Sequence, residues 1–249
     1  MTKPKATAPP EVCPKCGGSG YTLDEATLTA QVCDCGIVEQ SLFRTRFKAA
    51  RIPARFADKD FENFVENPAE SIGGRAEPAS VSARREVRNA GIGYARSFSH
   101  EETDGLILRG TTGVGKTHLA VAILKAVIRR GYTGYYANFS DFLSRLRSSF
   151  QADAGTETEN QLMDIVESVD LLVLDDVGAE RLTEFVTERL YLIINRRYEA
   201  AKPIIMTTNF DEEELRARIG ERTASRLCEM CSVSFPPFPR ADTRRMLMH

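Results

Sequence analysis

The chain has 249 residues, a formal net charge of −2, and 42% hydrophobic and 27% charged residues. That length allows one good-sized domain plus a small accessory one, with a core that needs no disulfide staples. The near-neutral balance excludes a wholly basic nucleic-acid wrapper, and the longest apolar runs fall short of the roughly 18 residues of a membrane span.

Residues 1–12, "MTKPKATAPPEV", read as a disordered tail. They lack the apolar stretch of a signal peptide, so the expected location is the cytoplasm, with no membrane partner. There, six cysteines are better explained by metal or by burial than by disulfides. Four of them fall in residues 13–36. Cys13 and Cys16 form C-x-x-C, and Cys33 and Cys35 form C-x-C. Four thiolates close a tetrahedral zinc site, although two C-x-x-C pairs would be the standard spacing. Unligated cysteines and an iron–sulfur cluster are the alternatives. The stretch "CPKCGGSG" also fits C-x-x-C-x-G-x-G, the repeat of DnaJ-type zinc modules, once. A piece this small would owe its fold to the metal.

Residues 37–50 predict a helix with Ile37, Val38, Leu42, Phe43 and Phe47 as its apolar positions. Residues 51–80 read as a linker and entry segment, broken by Pro53. A helix is expected over 81–96. From Gly105 strands and helices alternate, which predicts an α/β fold: a parallel sheet flanked by helices, behind a small N-terminal zinc-binding module. Ser140 is the expected N-cap of the helix in "SDFLSRLRSSF". Cys228 and Cys231 read as small core residues on one helix face. The expected division is tail 1–12, metal module 13–50, linker and entry segment 51–80, and nucleotide-binding domain 81–249.

"GTTGVGKT", comprising Gly110, Thr111, Thr112, Gly113, Val114, Gly115, Lys116 and Thr117, fits G-x-x-x-x-G-K-[ST]. A strand precedes it and an amphipathic helix follows, the context a phosphate loop requires. The glycines let backbone amides point at phosphate oxygens, Lys116 places a charge beside the β- and γ-phosphates, and Thr117 offers a hydroxyl to Mg²⁺. His118 follows within reach of the cofactor and reads as a helix residue rather than a catalyst. A second strand, "LLVLDDVG", ends in Asp175 for the Mg²⁺ shell and Asp176 to orient or deprotonate water. A third, "IIMTTNF", ends in Asn209, which can reach that water or the γ-phosphate.

In this order the motifs resemble an AAA+ ATPase, with Walker A, Walker B and a sensor 1 asparagine. "FENF", "LLVLDDVGAE", "IIMTTNF" and "GERTASRL" narrow the resemblance to the DnaC/DnaI helicase-loader and IstB group, over roughly residues 50–249. The resemblance implies ATP and Mg²⁺ as cofactors beside Zn²⁺. It implies Arg226 as a finger acting in trans on a neighbouring copy, hence self-association. It also implies a sensor 2 arginine, Arg244 with Arg245 as rival, although the tail departs from the group's pattern. The implied function is ATP-dependent loading of a replicative hexameric helicase onto single-stranded DNA. The metal module would grip the helicase, and Arg145, Arg147, Phe142 or Phe150 would meet DNA. An IstB-type transposition ATPase and a nucleotide-switched adaptor are the alternatives. Asp176 stands where many AAA+ proteins carry Glu, so hydrolysis is expected to be slow and stimulated by DNA or partner.

Overall fold

The computed structural model describes residues 12–24, 27, 29–67, 78–99, 104–150, 157–232 and 236–238. Two compact units divide between Arg46 and Phe47.

In the first unit, strands β1 (Tyr21–Asp24) and β2 (Thr29–Val32) pair antiparallel, with Tyr21 opposite Val32 and Leu23 opposite Ala30. Residues opposite one another share a face, so Tyr21, Leu23, Ala30 and Val32 lie on one side of the hairpin. Tyr21, Leu23 and Val32 are all exposed. Gly20 enters the hairpin at φ 79°, and a Cβ there would stand 2.5 Å from Val38 Cγ2. Helix α1 (Ile37–Ala49) follows the second cysteine pair and runs across the division between units, which lies short of the expected boundary at 50/51.

The second unit is built on a parallel sheet. Its strands are β3 (Gly105–Arg109), β4 (Gly134–Asn138), β5 (Leu171–Asp175), β6 (Ile204–Thr208) and the two-residue β7 (Cys231–Ser232), in the order β4-β5-β6-β3-β7. β5 and β6 are buried throughout, as parallel strands covered on both faces must be. The flanking helices are α2 (Pro78–Ser97), α3 (Lys116–Arg129), α4 (Phe139–Ser149), α5 (Glu159–Ser168), α6 (Glu184–Glu199), α7 (Glu212–Ile219) and α8 (Glu221–Met230). With β3 between β6 and β7, its C-terminal end opens beside that of β6, where ligands sit in such sheets.

Four local expectations change. Helix α2 begins at Pro78, inside the expected linker, because proline suits a first helical turn. The N-cap of α4 is Asn138, whose Oδ1 accepts from Asp141 N at 3.2 Å, while Ser140 donates instead to Glu180. Cys231 is buried at the start of β7 but Cys228 is exposed on α8, so the pair does not share a core face. Residues 51–67 are not a free linker. Basic side chains of α2 and α3 clamp their carbonyls: Lys125 Nζ donates to Ala57 and Lys59, Arg88 Nε to Phe61, and Arg84 Nε to Val65. Phe61 and Phe64 are buried there.

Arg197 is fully buried. Its guanidinium donates to the carbonyls of Val166, Val169, Asp170 and Pro203, closing the C-terminal end of α5. Burial lowers its pKa to about 9, against the opposing pull of the Asp170 charge.

Candidate nucleotide and metal sites

The loop from Gly110 to Gly115 joins β3 to α3. Gly115 caps α3 at φ 104°, and a Cβ there would come within 3.1 Å of Phe64 Cε2. Glycine is needed on both counts. Lys116 Nζ donates to Gly110 O at 2.7 Å, Thr111 O at 3.0 Å and Asn209 Oδ1 at 2.7 Å. The cation is only 7% exposed, so these acceptors offset its desolvation. Thr112, Gly113, Gly115, Lys116, Thr117 and His118 line a cleft of about 550 Å³. Val114 does not: its side chain is buried and its carbonyl accepts from Arg84 Nη1 at 3.1 Å.

Strand β5 delivers the two acids. Asp175 is 3% exposed, and its Oδ1 accepts from Thr117 Oγ1 at 2.8 Å and Thr207 Oγ1 at 2.7 Å. Its Oδ2 accepts from the Tyr136 hydroxyl at 2.7 Å. A buried carboxylate beside a hydroxyl is a hard oxygen set that suits Mg²⁺, with Thr117 and Asp175 the residues to hold it. Asp176 turns into the left-handed region at φ 62°, which Asp tolerates better than most residues. Its Oδ1 accepts from Asn209 Nδ2 at 3.0 Å. Asn209 thus bridges Lys116 and Asp176 across the mouths of β5 and β6.

Residues from the 51–67 segment form another wall. Arg55, Phe56, Asn63 and Phe64 line the cleft with Arg84 of α2. The Arg84 guanidinium lies 5.3 Å from the Phe64 ring centroid. His118 Nε2 is 2.9 Å from Asp60 O, and since a carbonyl only accepts, that nitrogen carries the proton. Burial lowers the His118 pKa, and the Asp60 carbonyl only partly offsets this. Sequence reasoning missed Arg84, Tyr136 and Thr207. Thr207 stands two residues before Asn209 on an alternating strand and could have been found; Arg84 and Tyr136 carry no local signal.

The four module cysteines converge. Their Sγ atoms lie within 4.8 Å of one another, with Cys13 to Cys33 at 3.9 Å and Cys16 to Cys35 at 3.7 Å. A disulfide needs about 2.05 Å. Tetrahedral zinc at about 2.3 Å from each sulfur sets neighbouring sulfurs about 3.8 Å apart, so the donor set fits that ion. Burial opposes the Cys16 thiolate, but the Gly20 and Gly18 amides and neighbouring thiols outweigh it and bring its pKa to about 7. The Cys35 amide favours the Cys33 thiolate, but burial and the three other thiols push its pKa up to about 12. Packed this closely, four sulfurs ionise together only around a cation.

Arg226 is not among the residues lining the cleft. It lies over the rings of Tyr191 at 5.2 Å and Tyr198 at 5.6 Å, and donates to Arg222 O at 3.3 Å. Arg244 and Arg245 lie outside the described residues. On α4, Phe142, Leu143 and Leu146 are core. Arg145 is tied inward, to the Tyr135 hydroxyl at 2.7 Å and Glu157 at 2.6 Å. Arg147 instead lies over the Phe185 ring, beside exposed Phe150; Arg189, against the same two rings, is paired with Glu159.

Among curated proteins, the Escherichia coli (strain K12) replicative helicase loader DnaC is 34% identical over 131 residues, 51% of this chain and 53% of that protein. The match therefore spans about half the length of that relative. Among solved structures, a DnaC helicase loader superposes with TM-score 0.60 at 28% identity, covering 72% of this chain and 97% of that one. A DnaI structure shares the fold, with TM-score 0.59 at 19% identity over 78% of this chain and 95% of its own. Residues 85–227, more than half the chain and spanning the phosphate loop, both acids and Asn209, match the IstB-like ATP binding protein family, and the chain belongs to that family.

Proposed function

We propose that this protein is a Mg²⁺-dependent ATPase that loads a replicative hexameric helicase onto single-stranded DNA in the cytoplasm. The observation that carries the reading is the polar chain Lys116–Asn209–Asp176 at the mouth of a cleft also lined by Thr117 and Asp175. On this reading Lys116 binds phosphate, Thr117 and Asp175 hold Mg²⁺ and Asp176 orients the water, four residues that line the same cleft. Mg²⁺ would neutralise phosphate charge and help align the γ-phosphate. The chain's own residues do the rest: the loop amides hold the phosphates, Asp176 takes the proton of the attacking water, and Asn209 fixes both.

The similarity to DnaC supports the helicase as partner. The metal module, folded around zinc, presents exposed Tyr21, Leu23 and Val32 on its hairpin as the gripping face. Arg147, Phe150 and Phe185 offer a cation beside stackable rings, the chemistry that holds single strands, while Arg189 is already paired with Glu159. Arg226, which lies off its own cleft, is assigned to the nucleotide of a neighbouring copy by the resemblance to the loader group. The family match equally favours an IstB-type ATPase that remodels a transposase, so the deciding experiment offers both partners. Co-precipitation of the full chain with the replicative helicase, dependent on ATP and lost in a Cys13→Ser/Cys33→Ser variant, is the expected result. Capture of a transposase alone would move the assignment to the second reading.

A further inference from the structure

We propose that Tyr136 is a positioning residue that fixes Asp175 for the metal, and that the chain segment after α1 holds Tyr136 in place. The inference rests on the Mg²⁺-nucleotide reading of the cleft. Tyr136 belongs to no phosphate-binding motif. It stands on β4, an edge strand of the sheet, opposite Val173 of β5. Its hydroxyl nevertheless reaches Asp175 Oδ2 at 2.7 Å, in a buried contact.

The geometry around Asp175 gives this bond its meaning. Thr207 holds Oδ1 from β6 and Tyr136 holds Oδ2 from β4, so donors on both neighbouring strands fix the carboxylate plane. The remaining bond, from Thr117 Oγ1 to Oδ1, joins the two groups assigned to the metal. A carboxylate pinned at both oxygens cannot rotate to follow an ion, so the lone pair facing Thr117 is aimed before the ion arrives. Such preorganisation raises affinity by lowering the ordering cost.

Tyr136 is itself held from outside the sheet. Its backbone N–H donates to Ala50 O at 2.8 Å, filling a position on the open edge of β4. Phe56 packs edge-on against its ring at 5.9 Å between centroids, and Phe56 also lines the cleft. The residues just after α1 thus brace one edge of the metal-holding acid.

The test compares wild type with Tyr136→Phe, which removes one oxygen and keeps the ring. ATP affinity is measured in EDTA and across a MgCl₂ titration. The expected variant binds ATP as wild type does in EDTA, but needs about tenfold more Mg²⁺ for the half-maximal gain in affinity, the scale of one hydrogen bond to a charged group. An unchanged or lower Mg²⁺ midpoint overturns the inference. So does equal weakening in EDTA and in Mg²⁺, which would make Tyr136 a packing residue only. If wild type itself binds no ATP, the nucleotide reading falls and takes this inference with it, an outcome distinct from the other two.

Discussion

Lys116 Nζ donates to Asn209 Oδ1 at 2.7 Å, and the same amide donates from Nδ2 to Asp176 Oδ1 at 3.0 Å. One side chain therefore links the cation proposed to bind phosphate to the acid proposed to orient water. A γ-phosphate that draws Lys116 toward itself changes what Asn209 bonds, and so changes the aim of Asp176. Asn209→Ala should lower single-turnover ATP hydrolysis by at least about tenfold while leaving ATP affinity near wild type, the pattern of a contact used in the transition state. Asp176→Asn tolerates the same φ of 62° and should keep binding while losing turnover. Equal loss of binding in both variants would place these residues in ground-state recognition instead.

The positions that converge on this cleft were readable because phosphate chemistry fixes residue types at fixed spacing. Glycines are required where amides must approach an anion, and acids follow a buried strand where a divalent ion sits. Cys13, Cys16, Cys33 and Cys35 were readable for a similar reason, since thiolate ligands come in short pairs. Tyr136 and Arg84 were not, because each acts across long sequence separation through sheet register or helix packing. The clamping of 51–67 was hidden too: its carbonyls are what Lys125, Arg88 and Arg84 hold, and carbonyls are the same in every sequence.

His118 should give the stability a pH dependence. Burial depresses its folded pKa below the ordinary value of 6.5. Below 6.5 the unfolded chain then binds more protons than the folded one, so stability is full above that pH and falls as the pH drops toward the folded pKa. Asp60 beside it is held far below the carboxylate range; burial opposes this but the Arg129 hydrogen bond outweighs it, so Asp60 stays ionised in that window. His118→Gln should cost about 1 kcal/mol at pH 7.5 through the altered bond to Asp60 O, and should flatten the decline between pH 7 and 5. Urea melts across that range measure both; an unchanged slope would assign the decline to other groups.

The α4 arginines should separate. Arg145 is bound to Tyr135 and Glu157, and Arg51 joins the same carboxylate at 2.5 Å. Arg145→Ala should therefore lower the melting temperature with little effect on DNA. Arg147→Ala and Phe150→Ala should weaken single-stranded DNA binding, and Phe150→Ala by about 1–3 kcal/mol if a base stacks there. Only Arg147→Ala should also reduce the salt slope, because only it removes a charge. Anisotropy with a labelled oligonucleotide at several salt concentrations distinguishes them.

Removing the metal should unfold one unit and spare the other. Among the described residues of the first unit, the buried side chains are those of Cys13 and Cys33, while Tyr21, Leu23 and Val32 of the hairpin are exposed and α1 includes no buried residue. A strong chelator should therefore release one zinc per chain and abolish amide protection over residues 12–46, while ATP binding persists. Zinc-free protein with unchanged hydrogen exchange in that stretch would remove the site.

Arg226 tests whether hydrolysis needs a neighbour. Its guanidinium rests on the rings of Tyr191 and Tyr198, and Tyr198 is anchored by its hydroxyl to Glu229 at 2.6 Å. The rings carry the cation without neutralising it, so it remains able to meet a phosphate. If it acts in trans, Arg226→Ala lowers turnover by at least about a hundredfold with intact ATP affinity, consistent with the scale of arginine fingers. Mixing then decides the direction of transfer. Lys116→Ala chains should fail to bind ATP but keep Arg226, so adding them to Arg226→Ala chains should restore hydrolysis at the mixed interfaces. No recovery at any ratio, with both variants folded and associating, would confine Arg226 to its own subunit.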